Sequence, residues 1–583
     1  MGSIENIITE NIDVWSSAIK QRNTQGRGSS KRQELYGVQK LRELILELAV
    51  RGLLVPQDPN DEPALILLKE TAKERELLVK DKKIKSLSEK IKIVDFEKPF
   101  SLPRSWCWAF FPEVCSYGVG KTPSTKNSTY WADSEKDGVH WASIADMEQY
   151  RTLNKTAKFV SQKAIENVFK YEPIKAGTLI MSFKLTLGKI SRLGVDAYHN
   201  EAIISIFPFS QIDSNFIYRF LPARALAGNS KSAIKGSTLN SESLAALLIP
   251  VPPLKEQKRI VAKVDELMAL CDQLEQQQEN SIAAHEQLVE TLLAALTQAA
   301  DNESFEQAWS RIAANFGTLF TTENSIDQLK KTLLQLAVMG KLVPQDPNDE
   351  PAAVLVEEIF KTKIKLEETE NLKTKAKEAI DAAEHYIDKP AAWEFVRLGN
   401  LAKFIDYRGR TPSKIKSGIP LITAKNIKYG FVSREPAEFI SEEDYEEWMT
   451  RGFPRLKDVL FTTEAPLGNV ALIDIEEKFA LAQRAICFQL HEPLVAEYLV
   501  YLIMSKPFQE QLADNATGMT AKGIKASKLK EIVVPMPPIA EQKRIVAKVD
   551  QLFAICDQLK TKINSAQQTQ LQLADAITSQ AIQ

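Results

Sequence analysis

Between residues 260 and 274 the apolar positions Ile260, Val264, Leu267, Cys271 and Leu274 step by four, three, four and three, with charged and amide residues between them. That spacing lays one apolar stripe along a helix, the a/d seam of a coiled coil. Ile545, Val549, Leu552, Cys556 and Leu559 repeat it. Paired prolines, Pro252–Pro253 and Pro537–Pro538, stand just before each run. They suit a helix start, because first-turn N–H groups have no intrahelical acceptor to lose. Glu256 and Glu541 then fall in the first turn, where the helix dipole favours negative charge. Upstream, Leu41, Leu44, Ile45, Leu48 and Ala49 keep helical spacing, and Gly52 is placed to act as a left-handed cap. "VPQDPNDEP" follows as a turn cluster, and Pro63 opens another helix, expected through residues 64–92 and, in its counterpart, 352–386. Their dense Lys and Glu predict a solvated helical face. Short β-like runs, "GTLIMSF" (177–183), "AIISIF" (202–207), "KDVLFTT" (457–463) and "AICFQL" (485–490), predict strands in two blocks, 97–250 and 391–535. Each block is expected to fold as a compact α/β domain.

These patterns come in pairs because the chain is written twice. "LAVRGLLVPQDPNDEPA" (48–64) returns as "LAVMGKLVPQDPNDEPA" (336–352), and "EQKRIVAKVD" at 256–265 returns letter for letter at 541–550. The offsets, 288 and 285, nearly agree, so residues of roughly 32–300 and 326–583 form a tandem duplication. The two blocks between the helices correspond only as a skeleton: "GKTPS" (120–124) faces "GRTPS" (409–413), "GVHWASIADM" (138–147) faces "GIPLITAKNI" (418–427), and "TLGKI" (186–190) faces "PLGNV" (466–470). The helical parts face one task twice; the globular parts face two different ones.

Composition narrows the class. The 583 residues carry a net charge of −2, but the first block holds 18 Lys+Arg against 13 Asp+Glu and the second 19 against 19, leaving the helical remainder acidic. Five scattered cysteines without a Cys-x-x-Cys pair, and five dispersed histidines, argue against a disulfide framework or a zinc site and fit a reducing cytoplasm. "MGSIENIITENIDVW" has acidic residues where a secretory signal would need a basic start, and no uncharged run reaches membrane-spanning length.

The sequence carries look-alikes of catalytic motifs, each lacking a residue that the chemistry needs. "GVGKTPS" (118–124) resembles a phosphate-binding loop, but Cys115 stands where its first glycine is needed. "VPPL" (251–254) and "MPPI" (536–539) resemble the Pro-Pro motif of adenine methyltransferases. That chemistry needs an amide or carboxylate before the prolines and a ring after them; Val251 and Met536 precede, Leu254 and Ile539 follow. No Ser/His/Asp set or paired carboxylates stand out, and "SEEDYEEW" (441–448) reads as a solvated acidic helix. Trp141 reads as core.

Paired variable blocks with Thr-Pro-Ser loops, each leading into "PP-x-x-EQ-x-RIV" and a long helix, resemble the specificity subunit of type I restriction–modification enzymes, over nearly the whole chain. The resemblance implies an α+β fold: two α/β target recognition domains separated by long antiparallel coiled-coil helices, with an internal pseudo-twofold repeat. It implies an N-terminal helical region at 1–96, target recognition domains at 97–250 and 391–535, a central helical region at 251–390 and a C-terminal helix at 536–583. It implies double-stranded DNA as partner, with two copies of a methyltransferase subunit carrying S-adenosylmethionine, and restriction subunits using ATP and Mg. This chain itself would bind no cofactor and catalyse nothing. A helix of about 40 residues spans on the order of 60 Å, enough to hold two readers a duplex turn apart. The alternative is a coiled-coil scaffold whose globular blocks bind proteins.

Phosphate contacts give affinity and base-edge contacts give specificity. The candidates are turn residues able to do either: Lys121, Thr122, Ser124, Lys126, Lys184, Lys235 and Ser237 in the first block. In the second they are Arg408, Arg410, Thr411, Ser413, Lys414, Lys425, Asn426, Thr520, Lys522 and Lys525. Arginine suits the guanine edge and asparagine the adenine edge, which makes Arg408, Arg410 and Asn426 the expected base readers.

Overall fold

The computed structural model describes residues 4–23, 31–84, 86, 98–184, 186–228, 241–370, 380–407, 412–518 and 522–582. It forms two compact units, Met1–Asn280 with Gln567–Gln583, and Ser281–Ala566.

In the first unit, helix Tyr36–Val50 carries Leu41, Leu44, Ile45 and Leu48 into the core. Gly52 caps it at φ +73°, with Leu53 N–H donating to Leu48 O at 2.9 Å. A Cβ there would meet Pro103 Cγ at 2.5 Å, so glycine is required on both counts. The predicted long helix after Pro63 is shorter than expected: it spans Ala64–Lys80, and Lys82 turns left-handed at φ +59°. Residues 85 and 87–92 of the expected run lie outside the described residues. The counterpart likewise ends early, at Ala352–Thr369.

The long helices are Leu254–Gln298 and Ile539–Ile582. Ile260, Val264, Leu267, Cys271 and Leu274 are all buried, as the seam predicts. Their neighbour includes the short repeat helix: Arg42 pairs with Asp272 at 2.6 Å and Glu275 at 2.8 Å. The end of the last helix joins the same core through Leu571, Ala574 and Ile577, and Tyr36 donates to Asp575 at 2.7 Å. The second unit repeats the plan. Val289, Leu293 and Leu296 share a core with Leu329 and Leu333 of helix Glu323–Val338 and with Cys556. Lys330 pairs with Asp557 at 2.5 Å and Asp327 with Lys560 at 2.8 Å.

Each unit also contains a head. In the first, strands run in the order Cys115–Val119, Ile203–Pro208, Leu179–Ser182, Ile190–Leu193, Arg151–Leu153, antiparallel except for the last pair. A smaller sheet runs Ala197–His199, Val139–Ala142, Lys158–Val160, Trp131–Ala132, its first pair parallel. The second head has the order Ala402–Asp406, Ala485–Leu490, Val459–Thr462, Val470–Leu472, all antiparallel. Its smaller sheet runs Ala480–Leu481, Ile419–Ile422, Phe439–Ile440, again parallel and then antiparallel. The four predicted strand runs all form strands. The second head lacks equivalents of Arg151–Leu153 and Trp131–Ala132 among the described residues. Each head closes on an antiparallel pair, Cys107–Phe110 with Leu248–Val251 and Glu394–Arg397 with Val533–Met536, which delivers the chain through two prolines into a long helix.

Candidate nucleic-acid interface

Strand pairing decides which loops meet. Gly120 N–H donates to Ile203 O at 3.2 Å and Phe183 N–H to Ala202 O at 2.9 Å. The loop after Val119 and the turn after Ser182 therefore leave the same end of the sheet. Gly120 is needed there, since a Cβ would lie 2.1 Å from His199 O. In the second head Asp406 pairs with Ile486 and Thr462 with Ala485, so strands Ala402–Asp406 and Val459–Thr462 finish at the same end. Ile524 N–H donates to Thr463 O at 3.0 Å, which brings Lys522 and Lys525 to that end as well.

Lys121 and Lys184 thus follow strands that finish at one sheet end of the first head, and Thr122, Ser124 and Lys126 continue the loop from Lys121 toward the smaller sheet. Lys121 is exposed, yet its ammonium donates to Val168 O at 2.9 Å and lies over the Tyr171 ring at 5.6 Å. Thr122 donates to Glu201, and Ser124 O accepts from Trp131 Nε1 at 3.3 Å. Lys126 is exposed and makes no ion pair among the described residues; Lys184 is half-buried against Phe183. Trp141 is core, as expected, 6% exposed, and its Nε1 donates to Lys121 O at 3.0 Å. His199 lies beneath the loop, its pKa pushed down to about 4 by burial.

In the second head Ser413 is exposed and Lys414 pairs with Glu438 at 2.7 Å. Lys425, Lys522 and Lys525 are exposed. Lys235, Ser237, Arg408, Arg410, Thr411 and Thr520 lie outside the described residues. Asn426 corrects the sequence expectation. It is 1% exposed, and its carboxamide is fully used: Oδ1 accepts from Thr423 N–H at 3.0 Å and Thr423 Oγ1 at 2.8 Å, while Nδ2 donates to Ser433 O and Pro436 O, both at 3.1 Å. Such an amide has nothing left for an adenine edge. Asp146 does the same work in the first head, accepting from Ser143 N–H at 2.8 Å and Ser143 Oγ at 2.6 Å. Both are braces of the turn after an inner strand.

Two residues missing from the expectation stand at the second head's sheet end: Glu464 and Arg484, with Arg484 Nε 2.5 Å from Glu464 Oε1. Arg484 sits in "ALAQRAICF" without a turn signal, and only the register of strand Ala485–Leu490 reveals its place.

The repeated decapeptide has an internal partner. Glu256 is buried and accepts from Gln57 Nε2 at 2.5 Å, and Arg259 pairs with Asp61 at 2.6 Å. Glu541 accepts from Gln345 at 2.5 Å and Trp393 Nε1 at 2.9 Å, and Arg544 pairs with Asp349 at 2.6 Å. Burial pushes both glutamates above the usual carboxylate range, with the donors pulling back. The two most repeated segments of the chain are therefore the two halves of one clasp.

No helix among the described residues is long and apolar enough to cross a membrane, and no His/Cys/Asp/Glu group among them could hold a metal.

A family model described as the type I restriction modification DNA specificity domain matches residues 105–284 and again 390–567. The chain is 35% identical to the type I restriction enzyme EcoEI specificity subunit of Escherichia coli, over 100% of both chains. It is also 35% identical to the EcoAI specificity subunit of Escherichia coli, again over 100% of both. The solved HsdS subunit from Thermoanaerobacter tengcongensis is 17% identical, covering 83% of this chain and 98% of its own, with a TM-score of 0.39. Two copies of the family domain and full-length identity at this level establish that the chain belongs to the type I restriction–modification specificity subunits, with two target recognition domains.

Proposed function

We propose that the two heads read double-stranded DNA, each taking one half of a bipartite, asymmetric site. The repeated helical parts dock two copies of a methyltransferase subunit and, through them, restriction subunits. In this reading the long helices form an antiparallel pair under a pseudo-twofold and set the spacing of the half-sites. The chain works in the cytoplasm and catalyses nothing. S-adenosylmethionine and adenine N6 methylation belong to the modification subunits, ATP and Mg to the restriction subunits.

The observation that carries the reading is the contrast at the two sheet ends. The heads share the order and pairing sense of the strands they have in common, yet loops leaving the same sheet end present different side chains, Lys184 in one head and Glu464 with Arg484 in the other. A common frame with unlike rims is what two readers of unlike sequences require, because bases are read by side chains that reach the groove edges.

The test exchanges residues 97–250 for the matching block of a relative with another specificity, followed by sequencing of methylated adenines. One half of the site changes and the other stays. A change in both halves, or in neither, contradicts the reading. On the assembled complex, affinity for the duplex falls steeply with salt as neutralised phosphates release counterions; salt-independent retention would favour a protein scaffold instead.

A further inference from the structure

We infer that Arg484 reads a guanine in the half-site of the second head, and that Glu464 is the positioning residue that aims it. This rests on the half-site reading above and names one contact within it.

Arg484 stands at the sheet end where the turn after Thr462 meets the segment before helix Ala526–Glu531. Its side chain is 57% exposed, and it is held from one side only, by Glu464 at Nε. Neither terminal nitrogen of the guanidinium donates a hydrogen bond to the described residues. The two form the planar two-pronged donor that matches guanine O6 and N7.

The backbone at Arg484 is in the left-handed region, φ +70°. That conformation costs a non-glycine residue energy, and such positions concentrate at functional sites. Its carbonyl accepts from Thr463 N–H at 2.9 Å, which fixes the strained residue beside the turn bearing its partner. Gly523 bridges to Glu464 across the next loop, and a Cβ there would lie 3.2 Å from Glu464 Cβ. The glycine leaves room for the pair, and exposed Lys522 and Lys525 flank it, placed for phosphates.

The first head lacks the pair. By strand register Glu464 corresponds to Lys184 and Arg484 to Ala202, although the turns match: Gly188 N–H donates to Ser182 O and Gly468 N–H to Thr462 O, both at 2.9 Å. A device in only one head, on a turn both retain, is suited to specificity rather than to the fold.

The experiment uses the chain assembled with its modification subunits. Methylation rates are measured on duplexes in which each base pair of the second half-site is replaced in turn. The wild type requires guanine at one position. Arg484→Gly levels the rates at that position, a loss of about tenfold or more in discrimination, and leaves every requirement of the first half intact. Its melting temperature does not fall, because glycine adopts φ +70° without strain. Arg484→Lys keeps the charge but not the fork and loses the same discrimination. Glu464→Gln gives a smaller loss confined to the same position, a pattern that general loosening of the fold does not produce. The inference is overturned if Arg484→Gly keeps every base requirement, if discrimination drops equally in both halves, or if the second half-site contains no guanine on either strand. A wild-type complex with no half-site assignable to residues 391–535 would sink the half-site reading itself, before any variant is made.

Discussion

Gln57 meets Glu256 in one half of the chain and Gln345 meets Glu541 in the other, each at 2.5 Å, and the Asp–Arg pairs beside them are both 2.6 Å long. The contact between head and long helix is not kept in this way. At matching helix positions, Asp265 pairs with Arg219 at 2.5 Å, whereas Asp550 accepts from the Tyr501 hydroxyl. The clasp joins two segments some 200 residues apart whose side chains must fit each other around a buried glutamate, so a change on one side is penalised unless the other follows. The head contact lies at a half-exposed surface, where an ion pair or a single hydrogen bond serves about equally. Divergence has accumulated where solvent tolerates it, and the rims of the heads are the extreme case.

Breaking the clasp should give the largest effects, equal in the two halves. Glu541→Ala strands the buried Trp393 indole, removes one acceptor of the Gln345 amide and opens a cavity. The expected cost is about 2–4 kcal/mol, and Glu256→Ala should match it within about 1 kcal/mol. Denaturant unfolding of each variant measures this; strongly unequal losses would mean that the two clasps are not equivalent.

Titration separates the heads from the clasp. His199 is neutral in the fold down to about pH 4, while the unfolded chain takes up its proton near pH 6.5. The unfolded state therefore binds more protons between these values, and stability drops as pH is lowered through them, by up to about 3 kcal/mol. Glu256 and Glu541 act in the opposite sense. Their raised values mean that the folded state holds protons longer, so their contribution is full below the usual carboxylate pKa and is lost as pH rises through the raised one. Urea unfolding from pH 4 to 7 should show the histidine loss on acidification in wild type, and the Glu256→Gln/Glu541→Gln double variant should lose the opposing component.

Asn426→Ala sharpens the contrast between brace and reader. It should cost the second head about 1–3 kcal/mol through its stranded donors and acceptors and leave base preference in the second half-site unchanged. A shift in base preference without a loss of stability would return Asn426 to the list of readers. Smallest of all, Tyr501→Phe and Arg219→Gln should each cost about 0.5–1 kcal/mol, visible as a shift in the denaturant midpoint.

Much of this frame is legible in the sequence because it follows from periodicity and turn chemistry. The 4-3-4-3 seam is buried in the first copy and in the second at Ile545, Val549 and Cys556, with Leu552 and Leu559 half-buried; Gly52 and Gly340 cap their helices at φ +73° and +69°, and the four β-like runs are strands. Helix ends are less legible: the Lys/Glu-rich runs keep helical propensity beyond Lys80 and Thr369, yet the helices end there, because propensity alone is a weak guide to length. The clasp is invisible in one dimension, since nothing in "PQDPNDEP" announces that Gln57 and Asp61 face Glu256 and Arg259. The candidate rim was found where turn residues cluster, but residue type misled at Asn426, whose amide is equally suited to bracing a turn. It missed Arg484, which enters the rim only through strand register.

The central claim is that two interchangeable frames carry two unlike readers. A chain in which residues 391–535 are replaced by a second copy of 97–250, assembled with its modification subunits in cells, tests it most directly through the sequence of the methylated sites. The account predicts that the asymmetric site is replaced by an inverted repeat of the half now assigned to the first head. Methylation that still requires the original second half would contradict it.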